Sequence, residues 1–250
     1  MRGGRSPLAT QPTKPLIVFD VNETVLDLET MNPIFARIFH DDAAMRLWFA
    51  NLILYSEALT IANVYVPFTD IGAAVMQMMA GARGIQISDA DKRELVDKFS
   101  TMPPHPEVPA ALEHLRQAGF RLFTLTDNLL EVQGRQLETG KIIHNFERRF
   151  SVDQAVKRHK PAPQAYAYVE AQLGTKPSEM LLIAAHIWDT MGARAAGWSA
   201  AFIRRPQNDV LAVGPQPNFV GKDLADVADQ LIARYGSASP TEAGGVGALR

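Results

Sequence analysis

Residues 15–27 read PLIVFDVNETVLD, an apolar run rich in β-branched residues that stops at Asp20. A short apolar run that ends in a polar loop is typical of a buried strand in a parallel sheet. Ligands of such sheets bind beyond the carboxyl ends of the strands. The stretch therefore predicts a strand over Leu16–Phe19 and places Asp20 where substrates bind. Because Asp also starts turns well, a turn role stays open on this stretch alone.

The segment that follows, residues 31–104, is predicted to be a helical cap domain inserted into the fold. Its apolar residues at helical spacing are Ile34, Phe35, Ile38, Phe39, Leu47, Leu52 and Tyr55. Its last helix should begin at an N-cap Ser88, with Asp91 three residues later. The stripe that this helix should bury is Leu95, Val96 and Phe99. Thr101–Pro109 is too rich in proline to continue a helix and is predicted to be the hinge back to the first domain.

The rest of the chain alternates between strand and helix patterns. Predicted strands cover Phe120–Leu125, Met180–Ala184 and, as the final strand, Ser199–Ile203. Predicted helices cover Ala110–Ala118, Leu129–Glu138, Pro163–Leu173, Asp189–Ala196 and Leu224–Tyr235. This alternation indicates an α/β fold with a doubly wound parallel sheet, formed by residues 14–30 and 105–236. Residues 1–13 and 237–250 are predicted to be disordered tails.

Composition excludes several functional classes. The 250 residues include no cysteine, which rules out disulfides, thiolate metal sites and a cysteine nucleophile, and suits a reducing cytoplasm. The formal net charge is −2 and no long Lys/Arg cluster occurs, so no nucleic-acid partner is expected. No apolar segment is long enough for a membrane span, and the N-terminus carries no secretory signal. We therefore expect a cytoplasmic protein without a membrane partner.

Further polar residues follow other predicted elements. They are Thr126 and Asp127 after one strand, Lys160 in a loop, and His186 and Asp189 after another strand. Parallel strands place their carboxyl ends at one edge of the sheet. These side chains are therefore expected to converge on Asp20 and to form one site with it.

These residues occur in the order and context of the haloacid dehalogenase superfamily, and the chain most resembles its type II branch, the L-2-haloacid dehalogenases. The motifs are Asp20 and Thr24 in DVNET, Thr126 after its strand, Lys160 in HKPAPQAY and Asp189 in WDTMGARAAG. Further similarity lies at Leu47 and Trp48, at residues 65–68, at Ser151–Asp153 and at Tyr166. It covers roughly residues 15–205. The resemblance implies a Rossmann-like core with a helical cap inserted after the first strand.

The resemblance also implies roles for individual residues. Asp20 is the nucleophile and forms a covalent ester, which water then hydrolyses. Lys160 keeps Asp20 ionised, Asp189 orients Lys160, and Thr126 donates a hydrogen bond to the substrate carboxylate or to Asp20. The substrate-binding candidates are Asn22, Phe49, Asp127, Tyr166 and Trp188. Taken singly, Thr126 can equally be a helix N-cap, Lys160 a solvated charge and Tyr166 a core residue.

Asn22 bears on the reaction class. Phosphatases of this superfamily carry a second Asp two residues after the nucleophile, as the acid for the leaving alkoxide. Here that position is Asn22, and an amide cannot donate such a proton. A halide leaving group needs no proton, so we predict a hydrolytic dehalogenase of short 2-haloalkanoic acids that releases halide and uses no metal or other cofactor. A magnesium-dependent phosphatase of the same fold and a catalytically silent binding protein remain alternatives.

Phe49 is one departure from the type II pattern. The family has an Arg at this position, which holds the substrate carboxylate and escorts the halide. Carboxylate recognition is therefore expected to be weak unless Arg37 or Arg46 of the cap replaces the lost cation, although either can equally be a solvated surface charge. The sequence leaves open the halogen, chain length and enantiomer of the substrate, and the oligomeric state, a homodimer included.

His186 and Glu23 are paired departures. His186 ends an Ala-Ala-His triplet where the family has Ser-Ser-Asn, and Glu23 stands where it usually has Gly. Both positions lie on adjacent strand-end loops. A carboxylate can orient an imidazole so that it activates water, as in a catalytic triad. We therefore predict that His186 and Glu23 are the water-activating pair, although a lone His is more commonly structural.

Overall fold

The computed structural model describes residues 13–236, so the tails predicted for 1–13 and 237–250 lie outside the described residues, apart from Thr13. The strands are β1 (Leu16–Phe19), β2 (Leu122–Thr126), β3 (Arg148–Ser151), β4 (Met180–Ala184), β5 (Ser199–Ile203) and β6 (Phe219–Gly221). They form one parallel sheet in the order β3-β2-β1-β4-β5-β6. This order confirms the predicted Rossmann-like, doubly wound sheet.

Helices cover both faces of the sheet and make up the whole insertion after β1. They are α1 (Asn32–Phe39), α2 (Ala44–Ile61), α3 (Phe68–Ala82), α4 (Asp89–Ser100), α5 (Val108–Gln117), α6 (Leu130–Thr139), α7 (Val152–Ala155), α8 (Pro163–Leu173), α9 (Ile187–Ala195) and α10 (Leu224–Tyr235). Short 3₁₀ helices lie at Leu28–Met31, Ile143–Asn145 and Pro177–Glu179. Within residues 13–236, every helix is too short or too polar to cross a membrane.

β1 lies inside the sheet because both of its edges are paired. Val18 lies opposite Phe123 of β2 and Leu182 of β4, and Ile17–Phe19 have no exposed surface. A strand that is buried on both faces needs apolar side chains at successive positions, which LIVF supplies. The chain order reverses between β1 and β4, and such a switch point leaves a crevice beyond the carboxyl ends of the two strands. The loops after β1 and β4 border this crevice.

Most predicted elements are present, but two edge strands were missed. Strand β1, strands β4 and β5, and helices α8 and α10 have the predicted bounds. β3 begins with two arginines, so its composition is too polar for a typical strand pattern. The guanidinium of Arg148 lies over the Phe150 ring, 4.9 Å from its centroid. β6 has three residues. The prediction that Ser199–Ile203 is the final strand is therefore wrong, because short or polar strands at an edge carry little apolar signal.

The insertion is helical, as predicted, and its details correct the sequence analysis at two points. Ser88 and Asp91 form the expected capping box of α4. Val96, however, is 64% exposed, whereas Leu95 is buried. The predicted hinge ends earlier than Pro109, because α5 starts at Val108 and accepts a proline in its first turn, where the missing N–H costs nothing. A single buried cluster joins the insertion to the sheet, so the 31–104 boundary stays a prediction.

Candidate active site

Asp20 lies directly after β1 with 5% of its surface exposed. Its backbone N–H donates to Ile183 O of β4 at 3.0 Å, which continues the strand pairing up to the carboxylate. Its Oδ2 accepts a hydrogen bond from Thr24 Oγ1 at 2.6 Å, and Thr24 Oγ1 accepts one from Ala185 N–H at 2.9 Å. The carboxylate is therefore fixed between the loops that follow β1 and β4.

Lys160 is buried against two carboxylates. Its ammonium donates to Asp20 Oδ1 at 2.8 Å and to Asp189 Oδ2 at 2.7 Å. Burial alone would lower the pKa of Lys160, but the charges of Asp189 and Asp20 outweigh it and raise that pKa. Burial alone would raise the pKa of Asp20, but the charge of Lys160 outweighs it, with help from His186, and the pKa of Asp20 is lowered. Asp20 is therefore an ionised carboxylate, as a nucleophile must be.

Tyr166 lies behind this cluster rather than at the substrate. Its side chain has no exposed surface, and its hydroxyl donates to Asp189 Oδ1 at 2.7 Å. A Cβ at Gly192 would lie 2.4 Å from the Tyr166 hydroxyl, so only glycine permits this close approach. Tyr166 was predicted to bind the substrate, but its buried hydroxyl contacts Asp189 instead and holds it against Lys160.

Thr126 is the last residue of β2, Asp127 follows it, and both line the cavity at Asp20. Thr126 Oγ1 accepts from Asn128 N–H at 3.2 Å, and Thr24, not Thr126, donates to Asp20. That part of the Thr126 prediction is wrong, and so is its alternative as a helix N-cap, since α6 starts at Leu130. Asp127 Oδ1 accepts from Lys160 N–H at 2.9 Å, so Asp127 anchors the loop that carries Lys160.

A small, partly open cavity adjoins Asp20 and is lined in part by residues of the insertion. Its volume is about 10 Å³, which is room for about one water molecule. The nine lining residues are Asp20, Asn22, Phe49, Ile53, Phe68, Thr126, Asp127, His186 and Trp188. Asn22 Oδ1 accepts from Asn128 and Gln136, whereas its Nδ2 has no hydrogen-bond partner among the described residues.

His186 contacts Glu23, as the sequence analysis predicted, and also lies beside Asp20. Its Nε2 lies 2.8 Å from Glu23 Oε2. Its Nδ1 lies 3.3 Å from Asp20 Oδ2, close enough for an ion pair but without the geometry of a hydrogen bond. Burial alone would lower the pKa of His186, but the two carboxylates outweigh it and raise that pKa to about 9. The imidazole is therefore protonated at neutral pH while Asp20 is ionised.

Glu23 has a backbone conformation that explains the glycine of the type II pattern. Its φ is 63°, in the left-handed region that glycine adopts without strain and other residues do at a cost. Four groups hold it there. Its carbonyl is 2.9 Å from His105 Nε2, its side chain binds His186 and Arg46, and Arg205 donates to the carbonyl of the next residue, Thr24, at 2.8 Å. Strain that is held in this way is characteristic of functional positions.

Neither Arg37 nor Arg46 supplies the cavity with a guanidinium in place of the arginine that the type II pattern has at position 49. Arg37 is half-exposed and pairs with Asp91 and Glu94 of α4. Arg46 binds Glu23 and Glu29 instead. Sequence reasoning named Arg46 but missed these partners, and it missed His105 and Arg205 altogether, because contacts between residues far apart in the chain leave no local pattern.

Two aromatic rings enclose His186. The Phe49 ring centroid lies 5.4 Å from that of His186, and the Trp188 ring is stacked on the imidazole at 5.2 Å. Both residues line the cavity. Phe49 and Trp188 thus lie at the cavity and against the imidazole, and their contact with a substrate stays a prediction.

The possible metal ligands of the site are already engaged. Asp20 and Asp189 both bind the Lys160 ammonium. In the described part of the chain, no group of three or more His, Cys, Asp or Glu side chains is arranged to hold a metal ion. The independence from metal remains a prediction from the residue types.

The charge on His186 predicts a pH dependence of stability. Folding raises the pKa of His186 from 6.5 to about 9, so the stabilisation is full below pH 6.5 and is lost as the pH rises through about 9. We expect the Tm of the wild-type protein to fall more between about pH 7 and 10 than that of His186→Asn. His114→Asn, at an exposed histidine, is the control and should behave like wild type. Parallel Tm curves for all three proteins would contradict a charged His186.

The chain is similar in sequence and in fold to known hydrolases. A family model described as haloacid dehalogenase-like hydrolase matches residues 14–197. The (S)-2-haloacid dehalogenase 2 of Pseudomonas sp. (strain CBS-3) is 24% identical over 86% of this chain and 94% of its own length. The haloacetate dehalogenase H-2 of Moraxella sp. (strain B) is 27% identical over 75% of this chain and 83% of its own.

A solved structure has the same fold. The L-2-haloacid dehalogenase of Xanthobacter autotrophicus, with chloropropionic acid covalently bound, superposes with a TM-score of 0.80. It is 20% identical in sequence, and the match covers 90% of this chain and 100% of that chain. The likeness confirms the α/β core with its helical insertion.

Proposed function

Because the chain belongs to the haloacid dehalogenase-like hydrolases, we propose that it hydrolyses the carbon–halogen bond of short 2-haloalkanoic acids through a covalent ester on Asp20. The observation that carries the proposal is the buried Asp20–Lys160–Asp189 cluster with an amide, Asn22, where a phosphatase needs an acid. The relatives named for (S)-2-haloacid and haloacetate dehalogenation support the substrate class. Burying charged groups costs desolvation free energy, so a silent binding protein has no reason to retain this cluster.

The first step forms the ester. A carboxylate oxygen of Asp20 attacks the carbon that carries the halogen. The new C–O bond forms as the carbon–halogen bond breaks, and the halide leaves with the bonding electron pair. The donors that border the cavity are on Asn22, Thr126 and His186, and they supply hydrogen bonds to the substrate carboxylate and the departing halide.

Ester formation itself prepares His186 for the second step. It removes the negative charge on Asp20, whose Oδ2 lies 3.3 Å from His186 Nδ1. Without that charge, the pKa of His186 falls below its value of about 9 in the free enzyme. The proton that His186 then releases leaves with the halide, which accounts for the acid that the overall hydrolysis produces.

The second step returns the nucleophile to its starting state. Neutral His186 accepts one proton of a water molecule, whose oxygen attacks the ester carbonyl of Asp20. The bond between this carbonyl carbon and the substrate oxygen breaks, and the second water proton goes to the hydroxyl of the 2-hydroxy acid. Asp20 is again a carboxylate beside a protonated His186, whose Nε2 lies 2.8 Å from Glu23 Oε2 in the free enzyme.

Substrate affinity should depend on Phe49. Phe49→Arg introduces a charge-assisted contact with the substrate carboxylate, commonly worth about 1.5 to 3 kcal/mol, so KM for a 2-halo acid should fall about tenfold or more. Phe49→Met, which has similar bulk without a charge, is the control and should leave KM near the wild-type value. If Phe49→Arg changes neither KM nor the substrate range, position 49 does not face the substrate.

The proposed activity is tested by halide release from chloroacetate, bromoacetate and fluoroacetate, with and without a chelator, beside the hydrolysis of p-nitrophenyl phosphate. We expect halide release that a chelator does not reduce and no phosphate release. Phosphate release that needs magnesium would favour the phosphatase alternative, and no turnover of any substrate would favour the binding protein. A cytoplasmic location stays a prediction, and light scattering would measure the assembly state, for which a homodimer remains open.

A further inference from the structure

We propose that Arg46 is a positioning residue that aims the Glu23 carboxylate at His186 only while the cap is closed. The proposal rests on the proposed function, because the pair that it controls is the one that activates water. Arg46 lies on α2 of the insertion, whereas Glu23 lies on the loop after β1. Their contact therefore connects the helical insertion to the loop that follows β1.

The geometry gives each oxygen of Glu23 one partner. Arg46 Nη1 binds Glu23 Oε1, and Glu23 Oε2 lies 2.8 Å from His186 Nε2. The other guanidinium nitrogen, Arg46 Nη2, binds Glu29 Oε1, which fixes the plane of the guanidinium. A planar cation that binds one carboxylate oxygen fixes the rotation of the carboxylate as well. Arg46 thus determines where Oε2 points.

This contact is not an ordinary surface ion pair. The side chains of Arg46 and Glu23 are 15% and 2% exposed, so water screens them little, whereas exposed pairs contribute little to stability. The pair on the same insertion between Arg37 and Glu94 has both partners about half exposed. Arg37 therefore offers a matched control on the cap surface.

Cap movement must break and remake the Arg46–Glu23 contact in each turnover. The cavity beside Asp20, of about 10 Å³, has room for about one water molecule and is too small for a halo acid, so the insertion has to move before a halo acid can bind. Opening carries Arg46 away with α2 and leaves the Glu23 carboxylate free to rotate. The base is consequently aligned only after closure, when bulk water is excluded and the site holds the single water that the second step consumes.

The kinetic test compares Arg46→Ala, Arg46→Lys and Arg37→Ala in single turnovers with chloroacetate, followed by intact mass. Arg46→Ala should slow decay of the Asp20 ester about tenfold or more and ester formation about threefold or less. Arg46→Lys, which keeps the charge and one contact, should recover part of the decay rate, and Arg37→Ala should match wild type. Equal slowing of both steps by Arg46→Ala would mean a purely structural role and would overturn the proposal.

A titration of the free enzyme tests the same contact without any halo acid, so it stands even if the proposed substrate is wrong. Imidazole ¹⁵N signals would be followed with pH, and His186→Asn identifies the signal of His186. The charged groups at this imidazole are Asp20 and Glu23, with Lys160 and Arg46 behind them, and the cap residue against it is the uncharged Phe49. If Arg46→Ala leaves the Glu23 carboxylate unpositioned, the titration midpoint of His186 should fall, as it should in Glu23→Gln. A higher midpoint would show that Arg46 acts only through its charge and would overturn the proposal.

Discussion

Replacement of Asp20 by Asn should abolish halide release, with kcat lower by about four orders of magnitude or more. The amide has nearly the shape of the carboxylate but lacks the charge and the nucleophilic oxygen that the first step needs. Lys160 also lies 2.7 Å from Asp189 in the wild-type protein, so the buried ammonium should retain a partner in this variant and the fold should be preserved. Circular dichroism and thermal unfolding would check the fold beside the activity assay.

A single turnover in ¹⁸O water tests the ester directly. If water attacks the carbonyl of the Asp20 ester, the label enters the Asp20 carboxylate first and the 2-hydroxy acid only in later turnovers. Peptide mass spectrometry after one turnover locates the label. Label in the product of the first turnover, with an unlabelled Asp20, would show direct attack of water on the substrate carbon and would contradict the covalent mechanism.

The core of the site was predictable from sequence because its residues follow strands with strong apolar signals. Asp20 follows LIVF, and His186 follows MLLIAA, and both strands are buried on both faces. Once the strands are recognised as parallel, the position of each polar residue follows from the geometry of the sheet. The Asp20–Lys160–Asp189 cluster, which the family resemblance implied, and the predicted His186–Glu23 contact are both present.

The remaining details depend on distances that local patterns do not encode. Thr24 and Thr126 are both hydroxyl residues near strand ends, and only the fold shows that Thr24 takes the contact with Asp20. Tyr166 was expected at the substrate, but α8 places it behind Asp189. Arg46 and Glu23 are separated by a turn, a 3₁₀ helix and α1, and their contact depends on how the insertion packs on the sheet.

His186 has two charge states with different uses, which the residue type alone does not reveal. In the free enzyme the imidazole is protonated, because Asp20 and Glu23 raise its pKa to about 9. A protonated imidazole supports the departure of halide but cannot accept a proton from water. In the free enzyme the negative charge of Asp20 keeps His186 protonated, so His186 cannot act as a base. Ester formation removes this charge, so each step meets the protonation state of His186 that it needs.

Replacement of His186 by Asn, the residue of the type II pattern, should therefore slow the second step more than the first. Loss of a positioned general base commonly costs about 10² to 10⁴ in rate. We expect the Asp20 ester to accumulate and to be visible by intact mass as a carboxyalkyl adduct, the substrate without its halogen. Glu23→Gln should show milder accumulation, because the imidazole remains but its orienting charge at 2.8 Å is lost.

The pH profile of the trapped step distinguishes a base from a structural residue. Only the neutral imidazole accepts the proton, so ester decay in the wild-type enzyme should rise with pH through one ionisation. Its midpoint should lie below the value of about 9 that holds while Asp20 is charged. In His186→Asn the residual decay should lose this ionisation, whereas His114→Asn should keep it. If His186→Asn turns over at the wild-type rate with no trapped ester, the imidazole is a structural residue, because a base that activates water cannot be removed without slowing hydrolysis of the ester.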